Sequence, residues 1–207
     1  SNVPDSYAIR LTVNEAIAGK RVFNDKTRGG EDQYETLDEA IQKTRKRKLG
    51  EIERYKERYG INLLDENNYD LIVDTSYTNT KELADIIIAG EEAYRTGKFY
   101  PKYWANPTCF LPLQMPQNIE GVSENGKTIE DLAKKIKENG YKTPEGVLEI
   151  KKRNGIKYLV KGFHRAFGAL SASKTLLPYE ISSTKLSSEP ILNEENLRSY
   201  AEKIRYY

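Results

Sequence analysis

Residues 156–181, IKYLVKGFHRAFGALSASKTLLPYEI, place a strand, a glycine turn and a helix in immediate succession. The apolar run at residues 158–160 predicts a buried strand that ends at Lys161 and Gly162. A helical pattern of small and apolar residues follows at once: Ala166, Phe167, Ala169 and Leu170. A helix that begins directly after a glycine turn presents unpaired N–H groups at the positive end of its dipole. The pattern therefore predicts an anion-binding turn.

Two side chains at this turn suit a phosphate group. His164, the single histidine of the chain, is followed directly by Arg165, whose guanidinium can donate two parallel hydrogen bonds to phosphate oxygens. Taken alone, His164 is better explained as a structural histidine. Beside Gly162, Arg165 and a helix start, it favours phosphate contact. Gly162, His164 and Arg165 are therefore the candidate phosphate-binding residues of the second half.

Composition excludes several classes of protein. The 207 residues carry 33 basic and 31 acidic side chains, and the formal charge of +2 does not indicate nucleic-acid wrapping or a membrane surface. The single cysteine, Cys109, excludes an internal disulfide framework and predicts a cytoplasmic protein. No apolar run approaches the roughly 20 residues of a membrane-spanning helix. The chain begins without methionine, which favours its interpretation as a portion of a longer protein.

Strands alternate with helices in the first half, a pattern typical of α/β proteins. Residues 8–13 and 69–75 predict strands. Asn14, Thr36 and Asn79 predict the starts of three helices. The helix after Thr36 is long and strongly basic.

This basic helix carries two spaced arginines. Arg47, Glu51 and Arg54 are separated by three, four and seven residues, so they lie near one helix face. Two guanidiniums held apart by a carboxylate can close over polyphosphate oxygens, as kinase lids do. A solvated charged face explains the same spacing, and periodicity alone favours that simpler interpretation.

Residues 8–90 resemble the C-terminal half of a cytidylate-kinase-like P-loop kinase. The resemblance rests on the strand R-L-T-V, the helix R-K-R-K-L-G-E-I-E-R and the strand Y-D-L-I-V-D-T-S, followed by T-K-E-L-A-D-I-I. Arg47 and Arg54 match the arginines of the family's lid helix. Glu51 and Lys48 depart from its two aspartates.

The kinase resemblance implies ATP or another nucleotide as the ligand, accompanied by Mg²⁺, and it makes Arg21 an accessory phosphate contact. Such kinases begin with a strand and a phosphate-binding loop, and nothing before Ser1 supplies them. The segment is therefore either part of a longer kinase or a structural remnant.

Residues 121–128, GVSENGKT, satisfy the phosphate-binding pattern G-x-x-x-x-G-K-[ST] letter for letter. A functional loop follows a buried strand, whereas the preceding segment is polar and contains Pro116. A turn at residues 125–126 and a helix capped by Thr128 with Asp131 explain the same letters. The context favours this structural interpretation, with a functional loop as the alternative.

Residues 110–181 resemble a ParB/sulfiredoxin-type domain. The resemblance rests on the helix I-E-D-L-A-K-K-I-K-E-N-G, the segment K-T-P-E-G-V-L-E-I, the strand K-Y-L-V and the turn G-F-H-R. In that family a Gly-x-His/Arg-Arg turn binds nucleotide phosphate, which matches the candidate residues named above. Phe163 replaces the cysteine of sulfiredoxins, and Lys161 replaces the aspartate of free-serine kinases, which argues against both reactions.

The predicted fold class is α/β, with a P-loop-kinase-like remnant and a small ParB/sulfiredoxin-like α+β domain. We expect the kinase-like segment at residues 1–97, a linker at 98–117, the ParB-like domain at 118–182 and a tail with an amphipathic helix at 183–207.

The expected function is binding of a nucleotide or a phosphorylated small molecule. In this hypothesis the chain is the C-terminal part of an ATP-dependent nucleoside monophosphate-type kinase fused to a ParB-like domain. The alternative is a non-catalytic regulatory module that senses nucleotide through the His164 turn. No catalytic residue, protein-built metal site, membrane partner or oligomeric state is predicted, and nucleic-acid contact through the ParB-like domain is left open.

Overall fold

The structure is a computed structural model that describes residues 5–25, 34–112, 128–139, 146–153 and 156–183. It divides into two compact units, Ser1–Ser76 and Tyr77–Tyr207. Both units contain helices and strands, so the predicted α/β class is confirmed. No helix among the described residues is long and apolar enough to cross a membrane.

Within residues 5–25 and 34–76, the first unit contains two parallel strands and two helices. Strand β1 (Ile9–Thr12) pairs in parallel with β2 (Leu71–Asp74). Helices α1 (Glu15–Asn24) and α2 (Leu37–Tyr59) lie between these strands in the chain. Parallel neighbours require a crossover connection, which the two helices supply. A short 3-10 turn at Glu66–Asn68 precedes β2.

Capping groups begin and end these helices as predicted. The Asn14 carboxamide accepts hydrogen bonds from two N–H groups in the first turn of α1, at 3.0 and 3.4 Å. Thr36 Oγ1 accepts from the Glu39 N–H at 3.1 Å. The hydrogen bond from Lys43 holds the pKa of the Glu39 carboxyl below its usual value. Gly60 ends α2 in the left-handed conformation, which glycine adopts without strain.

Helices α1 and α2 approach each other most closely at Gly19. A Cβ atom at this position would lie 2.4 Å from Ile41 Cγ1 and 2.8 Å from Ile41 Cα. Such distances are far inside van der Waals contact, so this approach requires a residue without a side chain. The spacing of the side chains that the two helices carry therefore depends on Gly19.

The second unit is built on a mixed sheet whose described strands run in the order β3-β7-β5-β6-β4. Strand β7 (Leu177–Ile181) pairs antiparallel with β3 (Tyr103–Ala105) and parallel with β5 (Leu148–Arg153). Strand β6 (Ile156–Lys161) pairs antiparallel with β5 and parallel with β4 (Leu111–Pro112). The region predicted as a linker thus contributes β3 and β4 to the sheet.

The described residues of this unit include three helices: α3 (Thr80–Arg95), α4 (Ile129–Asn139) and α5 (Phe163–Ser171). Gly168 brings α5 close to α4, because a Cβ there would lie 2.8 Å from Leu132 Cβ. The core combines residues of the sheet and of α4 and α5: Ala105, Phe110, Ile136, Leu148, Ile150, Leu159, Ala166, Ala169, Leu177 and Tyr179.

Helix α3 is tied to the segment before β7 by Glu82. Its carboxylate accepts hydrogen bonds from the Thr175 hydroxyl at 2.6 Å and from the N–H groups of Thr175 and Leu176 at 2.9 and 3.3 Å. Asn79 caps the helix as predicted, accepting from the Glu82 N–H at 2.8 Å. These bonds join α3 to the rest of the second unit, to which the helix belongs. The assignment of residues 1–97 to one domain stays a prediction.

The predicted succession of strand, glycine turn, helix and strand across residues 156–181 is confirmed. The predicted capping pair also forms, with Thr128 Oγ1 accepting from the Asp131 N–H and Asp131 Oδ2 accepting from the Thr128 N–H, both at 3.1 Å. Residues 121–127 of the phosphate-loop pattern and the predicted C-terminal helix lie outside the described residues.

The substitution Gly19→Ala should lower the free energy of unfolding. Overpacking costs about 1–3 kcal/mol, which outweighs the gain of about 0.5–1 kcal/mol that alanine brings to a helix. Urea denaturation measures the difference. Gly50→Ala is the matched control: apart from its chain neighbours and the backbone of its own helix, no atom of the described residues lies within 4 Å of its Cβ position, so it should stabilise the protein by about 0.5–1 kcal/mol. Equal effects of both substitutions would show that α1 and α2 do not depend on the close approach.

Candidate phosphate-binding cavity

A cavity of about 560 Å³ lies in the first unit, lined by α1, α2, β1 and the segment before β2. Of the described residues, five basic and two acidic ones line it, an excess of three positive charges: Arg10, Arg21, Arg45, Arg47 and Lys48 against Glu15 and Glu51. Cations that surround a cleft concentrate anions within it. The cavity is therefore suited to a ligand with several negative charges.

Another part of the lining is apolar or aromatic. Leu11 and Leu64 line the cavity with 52% and 51% of their surfaces exposed. Ile52 and Tyr55 extend this surface on α2. Ligand sites commonly combine an apolar surface with a few placed polar groups. A molecule with a charged end and a ring-shaped or apolar end thus matches the lining.

Arg21, one of the predicted phosphate contacts, is held at the end of β2. Its Nη2 donates hydrogen bonds to the carbonyl oxygens of Thr75 and Ser76, the latter at 3.2 Å, and its Nη1 lies 3.5 Å from Thr75 Oγ1. These acceptors carry no net charge, so they orient the guanidinium and leave its positive charge in place. Arg21, a residue of the lining, therefore has an oriented guanidinium whose charge these acceptors do not neutralise.

Side chains around the end of β2 fix the turn that holds Arg21. Asp74 Oδ1 accepts from the Ser76 N–H at 3.0 Å and from its hydroxyl at 2.6 Å. Ser76 Oγ accepts from the Asn14 N–H at 2.8 Å, and Thr75 Oγ1 donates to the Thr12 carbonyl at 3.0 Å. This network joins the end of β2 to the start of α1. Sequence periodicity cannot predict these hydrogen bonds, because the bonded residues are 62 and 63 positions apart in the chain.

The structure separates the two predicted lid arginines. Arg47 lines the cavity beside Lys48, whereas Arg54 does not. Seven residues are slightly fewer than two turns of helix, so the side chains of Arg47 and Arg54 do not point in the same direction. Arg47 already lies at the edge of the helix face that lines the cavity, and Arg54 lies just beyond that edge. Among the described residues, neither Arg47 nor Lys48 forms an ion pair. The positive charge of Arg47 is therefore available to a ligand.

Arg10 and Arg45 are cavity residues that the sequence analysis did not single out. Arg10 donates to the Leu64 carbonyl at 3.3 Å and lies over the Tyr69 ring, 5.5 Å from its centre. Arg45 lies 3.6 Å from Glu15 of α1. The basic run on α2 contains Arg45, but its pairing across two helices depends on how they cross. Spacing within a single helix gives no signal of that crossing.

In the second unit, Gly162 has a structural reason to be glycine. Its φ of 100° lies in the left-handed region, and a Cβ there would lie 2.7 Å from Cδ2 of the buried Leu148. Helix α5 begins directly after it, and Gly162, as the residue before the first turn, has no side chain to cap that turn. The geometry is that of the predicted helix-start turn.

Arg165 and His164 also interact within the protein. Arg165 Nη1 donates to the Val147 carbonyl at 2.7 Å, and its guanidinium lies against Gly146, where a Cβ would be 3.1–3.2 Å from three of its atoms. His164 is partly buried and has an interaction partner. Three predicted residues thus share one turn, with the guanidinium of Arg165 bound to the segment before β5. No group of three or more metal-ligating side chains occurs among the described residues.

Comparison with known proteins identifies one part of the chain. A stretch of 51 residues, 25% of this chain, is 43% identical to a cytidylate kinase from Sulfolobus acidocaldarius and covers 28% of that protein. No protein-family model matches the sequence. The chain therefore contains a kinase-like segment, in partial agreement with the predicted resemblance, and spans well under half the length of this relative. The ParB/sulfiredoxin resemblance stays a prediction.

Removing the Arg165 side chain should lower stability. Arg165→Ala breaks the hydrogen bond to Val147, and bonds made by charged groups contribute about 1.5–3 kcal/mol when well shielded, so we expect about 1 kcal/mol at this partly exposed site. Urea unfolding measures the loss. Lys134→Ala, at an exposed position of α4, should stay within about 0.5 kcal/mol of the natural protein. Unchanged stability combined with weaker nucleotide binding would instead assign the guanidinium to a ligand.

Proposed function

We propose that the first unit is the phosphate-binding part of a nucleoside monophosphate-type kinase, with ATP or another nucleotide as its ligand. The observation that carries this proposal is the convergence of Arg21 from α1 and Arg47 from α2 on one cavity with an excess of positive charge. The partial identity to a cytidylate kinase supports it. In the proposal this unit acts within a longer kinase that also provides a phosphate-binding loop, and its own cations give it measurable affinity for MgATP.

The two arginines would act by electrostatic stabilisation. During phosphoryl transfer negative charge is spread over the oxygens of the moving group, and cations already fixed in place stabilise that charge. Arg21 is held by carbonyl groups, and Arg47 is free of ion pairs among the described residues. Mg²⁺ commonly binds one or two carboxylates together with phosphate oxygens, and Glu51 of the described lining would provide one such carboxylate.

For the second unit the proposal keeps the ParB/sulfiredoxin-like assignment, with Gly162, His164 and Arg165 at a phosphate-binding turn. The absence of a side-chain cap at the start of α5 supports it, because N–H groups of a first helical turn bind anions. The second candidate function is a non-catalytic module that senses nucleotide through this turn. A cytoplasmic location, suggested by the single Cys109, belongs to the same proposal.

Isothermal titration with MgATP tests the proposal for the first unit. Arg47→Gln should weaken binding by about tenfold, because hydrogen bonds between charged groups contribute about 1.5–3 kcal/mol. Arg58→Gln removes the same charge from the last turn of α2, outside the cavity lining, and should leave the affinity within about twofold. Absence of binding to the natural chain, or equal losses in the two variants, would overturn the proposal.

The same titration separates the two units and the two lid arginines. Arg54→Gln should resemble the Arg58→Gln control, since Arg54 does not line the cavity. A tenfold loss in Arg54→Gln would show that the helix closes over the ligand as the family's lid does. If His164→Ala lowers the affinity and Arg47→Gln does not, the binding site is the turn of the second unit.

A further inference from the structure

We propose that Arg45 is an additional anion-binding residue of the cavity in the first unit, and that Glu15 is its built-in competitor. The inference rests on the proposed function, because it concerns the same cavity. The Glu15 carboxylate pairs with the Arg45 guanidinium until the phosphate groups of a ligand replace it.

The positions of the two side chains support this pairing. Arg45 Nε of α2 and Glu15 Oε2 of α1 lie 3.6 Å apart, and both residues line the cavity. Glu15 lies four residues before Gly19, and Arg45 four residues after Ile41, so the pair is one helical turn from the closest approach of the two helices. The crossing that depends on Gly19 therefore brings these opposite charges together beside the basic lining.

A ligand can readily replace Glu15 as the partner of Arg45. Both side chains are about half exposed, 56% for Arg45 and 47% for Glu15, and water screens such pairs so strongly that they contribute little to folding. A separation of 3.6 Å is also too long for a hydrogen bond. The guanidinium has five N–H donors in a planar fork, which match phosphate oxygens better than a single distant carboxylate oxygen. A phosphate group can therefore replace Glu15 at small cost.

The negative charge of Glu15 should lower the affinity of the cavity for an anionic ligand. Its negative charge offsets part of the attraction of the five described cations and lies beside one of them, Arg45. An anion that enters must overcome this repulsion and separate the pair. Removing the carboxylate should thus strengthen binding of a nucleotide, whereas a residue of purely structural importance would weaken binding when changed.

Isothermal titration of the chain with MgATP provides the test. Glu15→Gln should tighten binding about two- to fivefold, the range that corresponds to an exposed ion pair. Glu53→Gln removes the same charge from an exposed position of α2 outside the lining and should change affinity by less than about 1.5-fold. Glu15→Asp keeps a charge in the first turn of α1 and shortens its reach, so it should tighten binding to a smaller extent. Thermal unfolding checks that each variant is folded.

A double-mutant cycle determines whether Glu15 acts through Arg45. Arg45→Gln should weaken binding several-fold, and adding Glu15→Gln to it should restore less affinity than Glu15→Gln gains in the natural protein, because only the general repulsion of the carboxylate is then removed. Unchanged affinity in both Glu15 variants, or a gain of the same size without Arg45, would overturn the inference. If Arg47→Gln still weakens binding, the proposed function survives that result. If neither the natural chain nor Glu15→Gln binds MgATP, the proposed function fails as well.

Discussion

The close approach of α1 and α2 at Gly19 is the constraint on which the cavity depends. Because Gly19 has no side chain, the backbone of α1 reaches the backbone of Ile41. Arg21 lies two residues after Gly19 on α1, and Arg45 lies one turn after Ile41 on α2. A larger residue at position 19 would move the two helices apart and with them the cations that they carry. One packing contact thus sets the geometry of an electrostatic site.

The arginines of this protein illustrate how different partners leave different amounts of charge for a ligand. Arg21 and Arg165 donate to carbonyl oxygens, which orient a guanidinium without neutralising it. Arg45 faces the carboxylate of Glu15, which offsets part of its charge. Arg47 has no ion pair among the described residues. A basic segment is therefore better judged by the partners of each cation than by its net charge.

Local sequence signals accounted for most of the described elements. The caps at Asn14, Thr36 and Asn79 begin helices where predicted, because each side chain satisfies N–H groups only two or three residues away. The Glu82 carboxylate, by contrast, turns to residues 175–176 of a distant segment. That contact groups α3 with the second unit, a result that no local pattern contains. Likewise the tract of aromatics and prolines after α3 contributes β3, because its strand partner β7 lies in a distant part of the chain.

By itself, the amino-acid sequence determined the α/β class, the helix starts, the strand–turn–helix succession around Gly162 and the similarity of one segment to a cytidylate kinase. These properties depend on residues that are neighbours in the chain, or on amino-acid identity to another protein. Only the tertiary structure decided that Arg47 lines the cavity and Arg54 does not, and that Arg45 meets Glu15. The physical reason is that a cavity forms where elements cross. Helical periodicity specifies a face, whereas the packing at Gly19 specifies what that face meets.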